Sequence, residues 1–158
     1  MTQPRTLAQF TRATLILQRL REVDPAGVIQ ELSQALQREG FVRDLLPFYH
    51  AALNQELMAN SALRCGLAFP HGRMSGVKQL QFAYGRAPRP LTWGAKGSSL
   101  VQHVFLLAVP PTDAVAYLHV LASLARLGEQ PDQLGELRDA QDPESILAVL
   151  QKVKLRHG

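Results

Sequence analysis

His71 is the residue on which chemistry can be built. It closes the apolar run Gly66-Leu67-Ala68-Phe69-Pro70 and is followed by Gly72 and Arg73. Pro70 fixes its own φ and biases Phe69 away from the helical region, so Leu67 to Phe69 are expected to be extended and His71 to leave the end of a strand. Gly72 is expected to turn the backbone and to let a bulky group approach the ring. A neutral imidazole has one ring nitrogen with a free lone pair. If a hydrogen bond fixes the other nitrogen, that lone pair can attack an electrophile such as a phosphoryl group. The same placement suits a histidine that merely satisfies a loop carbonyl, and the short motif alone does not choose between the two.

Other reactive residue types are sparse. Cys65 lies close to His71, but no third group is evident to orient a thiol and base, and a small buried cysteine is the expectation. His50, His71, His103, His119 and His157 show no paired ligand spacing, so neither a metal nor another cofactor is expected. His50 is expected at the surface or its boundary, and His103 as a satisfied core or edge histidine within a strand.

The elements that must position His71 can be read from caps and periodicity. Residues 13–20 form a β-prone run. Asp24-Pro25 starts a helix with an N-cap and a proline in its first turn, Val28, Ile29, Leu32 and Leu36 make its buried face, and Gly40 stops it. A second helix, from about Val42 or Asp44 to Met58, is expected to present Leu45, Leu46, Tyr49, Leu53 and Leu57. After the His71 segment, Met74-Ser75-Gly76 reads as a turn and Val77 to Tyr84 as a strand with Leu80, Phe82 and Tyr84 on one side. Gly85 to Pro90 reads as a loop, because prolines cannot continue a ladder. Gly94-Ala95-Lys96-Gly97 is a turn, and Ser99 to Val109 is apolar enough for a central strand covered on both faces. Thr112 or Asp113 then caps a helix to Leu127, with Leu118, Leu121, Ala122 and Ala125 as its core stripe. A weak helix at Leu134 to Arg138 and a better one from Asp142 to about Val153 complete the chain. Strands mixed with helices throughout predict an α/β fold, a single three-layer domain over 1–158 with its core at about 13–152 and helices on both faces of a mixed sheet.

Composition narrows the class. The chain has 158 residues, 46% hydrophobic and 19% charged, the balance of an ordinary globular protein. One cysteine permits no internal disulfide and fits a reducing compartment. No apolar run approaches the roughly 18 residues that span a bilayer, so a cytoplasmic location without membrane insertion is expected. The formal charge of +4 raises nucleic acid as a partner. The basic residues are dispersed, however, and the one small cluster, Lys152, Lys154 and Arg156, has no interleaved aromatics to stack on bases. No nucleic acid is therefore expected.

Leu67-Ala68-Phe69-Pro70-His71-Gly72-Arg73 resembles the phosphorylation-site motif of enzyme IIA domains of the fructose, mannitol and nitrogen-regulatory class, from the bacterial phosphoenolpyruvate-dependent sugar phosphotransferase system. Ala51-Ala52-Leu53-Asn54-Gln55-Glu56 is similar to the end of the family helix with its Arg-Glu pair. Pro90 to Ala95, Val104 to Pro110 and Tyr117 to Arg126 fall where the family has similar blocks, so the resemblance runs in order from about residue 13 to 152. It implies the same three-layer fold and a phosphocarrier whose His71 takes a phosphoryl group from a phosphohistidine carrier protein. His71 would then pass the group to a sugar permease subunit or a regulatory protein.

The resemblance places three assisting positions on Gln55, Ser61 and Tyr117. Ser61 keeps a hydroxyl donor, whereas the family has arginine at Gln55 and histidine at Tyr117. A neutral hydrogen bond is worth about 1 kcal/mol against roughly 1.5–3 for a charge-assisted one, so these departures weaken the hold on a phosphoryl group. His119 does not replace Tyr117, since two helical steps turn about 200° around the axis. Arg73 is the nearest other cation and a candidate docking residue. A second reading of the departures is a regulatory interaction module that keeps the fold and is phosphorylated weakly or not at all.

Overall fold

The computed structural model of the chain describes residues 5–94, 97 and 99–155. Ala95 and Lys96 of the expected turn, Arg156 of the basic cluster and His157 lie outside the described residues. The strands are β1 (Ile16–Leu17), β2 (Leu67–Ala68), β3 (His71–Arg73), β4 (Gln81–Trp93) and β5 (Ser99–Val109), and the helices α1 (Pro25–Arg38), α2 (Leu45–Met58), α3 (Ala114–Leu127), α4 (Pro131–Asp139) and α5 (Pro143–Gln151).

Among the described residues the strands form one mixed sheet in the order β1-β4-β5-β2, with β3 also paired to β5. β4 and β5 are antiparallel; β1 runs parallel to β4, and β2 and β3 run parallel to β5. Strand alternation separates two cores. Phe82, Tyr84, Phe105, Leu107 and Val109 face Val120, Leu124, Ile146 and Leu150 on the α3–α5 side. Ala83, Val104, Leu106 and Ala108 face Val28, Leu32, Phe48 and Ala52 on the α1–α2 side. Helices therefore cover both faces, as the sequence predicts.

Local chemistry fixes the ends. Asp24 accepts from the Gly27 N–H at 2.7 Å ahead of Pro25, and Asp142 accepts from the Ser145 N–H at 2.7 Å ahead of Pro143, so two helices start at N-caps legible in the sequence. Gly40 beyond α1 adopts φ 83°, a backbone that favours glycine. Arg86 closes the far end of α4: its Nη1 donates to the carbonyls of Leu137, Arg138 and Ala140 at 2.9, 3.1 and 2.7 Å. Its Nε donates to Gln18 O, which ties β4 to the chain leaving β1.

Four expectations need correction. Residues 13–20 do not form a full strand: 13–15 make a 3-10 turn and only Ile16–Leu17 join the ladder. The strand expected from Val77 begins at Gln81. Gly85 to Pro90 is not a loop but lies within β4. The register with β5 shifts between Arg86 and Leu91, so Pro88 and Pro90 owe no ladder donor, and Gln102 Nε2 holds the strand through Ala87 O at 3.2 Å. On α3 the buried stripe is Ala116, Val120, Ser123, Leu124 and Leu127, whereas Leu118 and Ala125 are exposed.

His103 is a satisfied buried histidine, as expected. The Tyr84 hydroxyl lies 2.6 Å from its Nδ1 and the rings stack. Burial, then the charges of Arg86 and Arg138, lower its pKa from 6.5 to about 4. With its proton on Nε2, neutral His103 accepts a hydrogen bond at Nδ1 from the Tyr84 hydroxyl.

Folded His103 stays neutral while the unfolded chain takes a proton below pH 6.5. Its contribution to stability is thus complete above that pH and is lost as pH falls from 6.5 toward 4. The loss is on the order of 3 kcal/mol. Urea denaturation of the protein and of His103→Gln across this range should show the gap between them narrowing as pH falls; a constant gap would contradict the assignment.

Candidate functional site

His71 does not end a strand; it opens one. Leu67 and Ala68 pair with His103 and Val104, and His71, Gly72 and Arg73 pair with Leu107, Ala108 and Val109, at the same offset along β5. Phe69 and Pro70 interrupt the pairing without shifting the register. Pro70 has no N–H to give, yet its carbonyl accepts from Leu107 N at 2.9 Å. The imidazole therefore projects on the side of Leu107, toward α3.

Gly72 does not turn the backbone, as the sequence suggests, but is a buried strand residue. A Cβ there would lie 2.7 Å from the Phe48 ring of α2. The absent side chain lets α2 press against the strand directly behind His71.

Tyr117, from the first turns of α3, meets His71 on the open side. Its hydroxyl lies 3.3 Å from both Nδ1 and Nε2, with ring centroids 5.2 Å apart. Burial lowers the His71 pKa from its ordinary value, opposed by the Glu56 carboxylate and by a hydrogen bond to the Phe69 backbone. At neutral pH the imidazole is therefore mostly uncharged, with a lone pair available. Burial raises the Tyr117 pKa, with Arg73 opposing, so the phenol keeps its proton. Arg73 Nη2 donates to Pro111 O at 2.6 Å, which holds its exposed guanidinium at the rim between β3 and α3.

Beneath the segment lies a group whose role the sequence reading missed. Glu56 is a buried carboxylate on α2, in the stripe Phe48, Ala52, Glu56. Its Oε2 accepts from Ser61 N at 2.8 Å, Ser61 Oγ at 3.1 Å and Trp93 Nε1 at 2.8 Å. Ser61 Oγ in turn accepts from Phe69 N at 2.9 Å. A chain of hydrogen bonds thus runs from the end of β4 through Glu56 and Ser61 to the Phe69 backbone that holds the His71 ring. The sequence does place Glu56 one helical step, i+4, after Ala52, but as a charge in an apolar stripe it passes for a surface residue. Of the expected stripe, Leu46 and Leu57 are exposed while Tyr49 and Leu53 are half-buried.

The other candidates separate. Gln55 is exposed at the end of α2, and its side chain makes no hydrogen bond among the described residues. Ser61 is one link from His71, its hydroxyl engaged by Glu56 and Phe69. Cys65 is exposed rather than buried, in the turn where Gly66 takes φ 92°. Among the described residues, no group of three or more His, Cys, Asp or Glu side chains is placed to hold a metal ion.

A family model described as phosphoenolpyruvate-dependent sugar phosphotransferase system, EIIA 2, matches residues 9–153. The 2-O-alpha-mannosyl-D-glycerate-specific EIIABC component of Escherichia coli is 31% identical over 124 residues, 77% of this chain, which spans only 19% of that relative's length. A nitrogen regulatory protein of Bradyrhizobium diazoefficiens is 29% identical over 102 residues, 65% of this chain and 67% of the relative. In three dimensions the chain matches the nitrogen regulatory protein IIA-Ntr of Neisseria meningitidis with a TM-score of 0.82 and 25% identity, covering 91% of this chain and 98% of that one. It also shares the fold of Escherichia coli mannitol enzyme IIA in complex with phosphorylated enzyme IIB, with a TM-score of 0.75, 16% identity and coverage of 89% and 97%.

Two substitutions probe this geometry. Glu56→Gln keeps an acceptor but removes the charge that favours the imidazolium, so the His71 midpoint in an NMR titration should move down; an unmoved or raised midpoint would contradict the electrostatic link. Gly72→Ala forces a methyl group against Phe48 and should cost ~1–3 kcal/mol in urea denaturation, with part recovered by adding Phe48→Leu.

Proposed function

Because the chain belongs to the EIIA 2 family of the phosphoenolpyruvate-dependent sugar phosphotransferase system, we propose that it is a phosphocarrier in which His71 is the phosphorylated residue. The neutral imidazole beside the Tyr117 hydroxyl carries this reading. A phosphohistidine carrier protein brings its phosphoryl group to the free ring nitrogen of His71; the donor N–P bond breaks as the His71 N–P bond forms. Each imidazole keeps the proton on its non-reacting nitrogen. Little covalent chemistry is needed beyond alignment and donors for the spread charge.

The hydrogen bond to the Phe69 backbone aims the ring, and Tyr117 donates to a phosphoryl oxygen. Arg73 supplies positive charge at the rim, and Ser61 holds the Phe69 segment through Glu56. Gln55, next in sequence to Glu56 and exposed at the end of α2, offers a neutral amide donor at this position. Val115 and Leu118, exposed around Tyr117, offer apolar area to the donor. The acceptor is a sugar permease subunit or a regulatory protein, and the site acts as one EIIA-type domain in the cytoplasm.

The second reading, a regulatory module that is poorly phosphorylated, is favoured by one arrangement. The Glu56 carboxylate bears on His71, while no arginine stands at position 55 to offset it.

Incubation with phosphoenolpyruvate and the two general carrier proteins, followed by intact mass at alkaline pH, should add one phosphoryl group to the protein and none to His71→Ala. No gain with several carrier pairs would overturn the phosphocarrier reading. Under the second reading, Gln55→Arg with Tyr117→His should raise phosphorylation at least ~tenfold, the equivalent of about 1.4 kcal/mol.

A further inference from the structure

Two adjoining grooves lie at the edge of the sheet away from His71. The first, of about 580 Å³, runs between α1 and the chain leaving β1, with Arg19 and Arg21 on one wall and Gln30, Gln34 and Arg38 on the other. The second, of about 730 Å³, shares Arg19 and Arg21 and continues over Leu20, Val23, Arg89 and Leu91. Arg19, Arg21, Arg38 and Arg89 are exposed, and their side chains make no hydrogen bond or ion pair among the described residues.

Two carboxylates, Glu22 and Glu31, also line the first groove, but the four arginines of the two grooves outnumber them. Glu31 is taken up by the backbone N–H groups of Arg21 and Glu22 at 3.1–3.2 Å, and Glu22 lies over Gly27. Arg86, behind the grooves, donates its guanidinium to main-chain carbonyls and keeps its positive charge, which also bears on Asp139.

We propose that these grooves form a docking surface for an acidic segment of a partner protein, one that carries aliphatic side chains between its carboxylates. Basic residues on a sheet edge also discourage strand addition. That role does not explain the apolar part of the lining, Leu20, Pro88, Pro90, Leu91 and Val23, the last 70% exposed. An apolar centre within a rim of arginine is the composition of a protein interface. A lone small anion would meet only exposed, well-solvated charges, which hold it weakly. A nucleic acid would find no aromatic side chain lining either groove for stacking.

The surface is independent of the imidazole. Leu91 pairs with Val101 and His71 with Leu107, which sets them about 20 Å apart along β5. A partner seated here leaves His71 accessible.

The test titrates the full ¹⁵N-labelled chain with a blocked peptide of repeating Leu-Glu-Glu triplets. Amide shifts should concentrate at residues 18–23 and 88–91, and the affinity should fall at least ~tenfold between about 20 and 200 mM salt. Arg19→Glu with Arg89→Glu should weaken binding at least ~tenfold and leave the remaining spectrum and the His71 titration unchanged. A peptide with serine for leucine should bind more weakly. Absent or dispersed shifts, shifts centred on His71 or on Lys152 and Lys154, or indifference to charge reversal would overturn the proposal. So would equal binding of the serine peptide, or tighter binding of a DNA duplex or inorganic pyrophosphate at the same residues.

Discussion

The carboxylate of Glu56 stands where α2, the chain leading to His71 and the end of β4 must meet. A buried charge persists only where donors surround it, and removing one partner leaves the rest stranded in a medium of low dielectric. Ser61 and Trp93 supply those donors, so the path of the connection after α2 and the position of the indole are fixed together. That connection then gives the Phe69 N–H its partner, and the Phe69 backbone holds the imidazole. The aim of a ring on the α3 side is thereby set by a charge on the α2 side of the sheet.

Much of the fold was legible because the chain states its boundaries. Asp24-Pro25 and Asp142-Pro143 mark helix starts, and the apolar run from Ser99 to Val109 could only be a strand covered on both faces. Misreadings arose where tertiary structure removed the penalty on which the rule rests. Prolines are barred from ladders for want of a donor, but a bulge between Arg86 and Leu91 asks for none. The stripes of α2 and α3 were misjudged for a related reason. Their buried faces include Glu56 and Ser123, polar groups that hydrogen bonds make acceptable there, so hydrophobicity pointed to neighbouring positions. Gly72 was seen as a turn because its partner, the Phe48 ring, comes from a distant stretch of chain.

Charge is distributed unequally over the sheet. Around His71 the buried Glu56 carboxylate and the rim guanidinium of Arg73 carry opposite charges, whereas at the Arg19–Arg21 edge the arginines lining the grooves outnumber Glu22 and Glu31 among the described residues. A phosphoryl group on His71 would add negative charge where a carboxylate and a guanidinium already offset one another. With position 55 neutral, such a group would be held less firmly than with a second arginine there, which suits a relay more than a store.

The constant offset of residues 67–73 along β5 imposes a rule of parity on the chain. Side chains alternate between faces at every step, so adding or removing one residue between Gly66 and His71 would swing the imidazole onto the Phe48 side and deny it Tyr117. A pair of residues could be tolerated where one could not. A single-residue change in length would be absorbed with less harm in the connection before Gly66, upstream of the point where the strand begins to count.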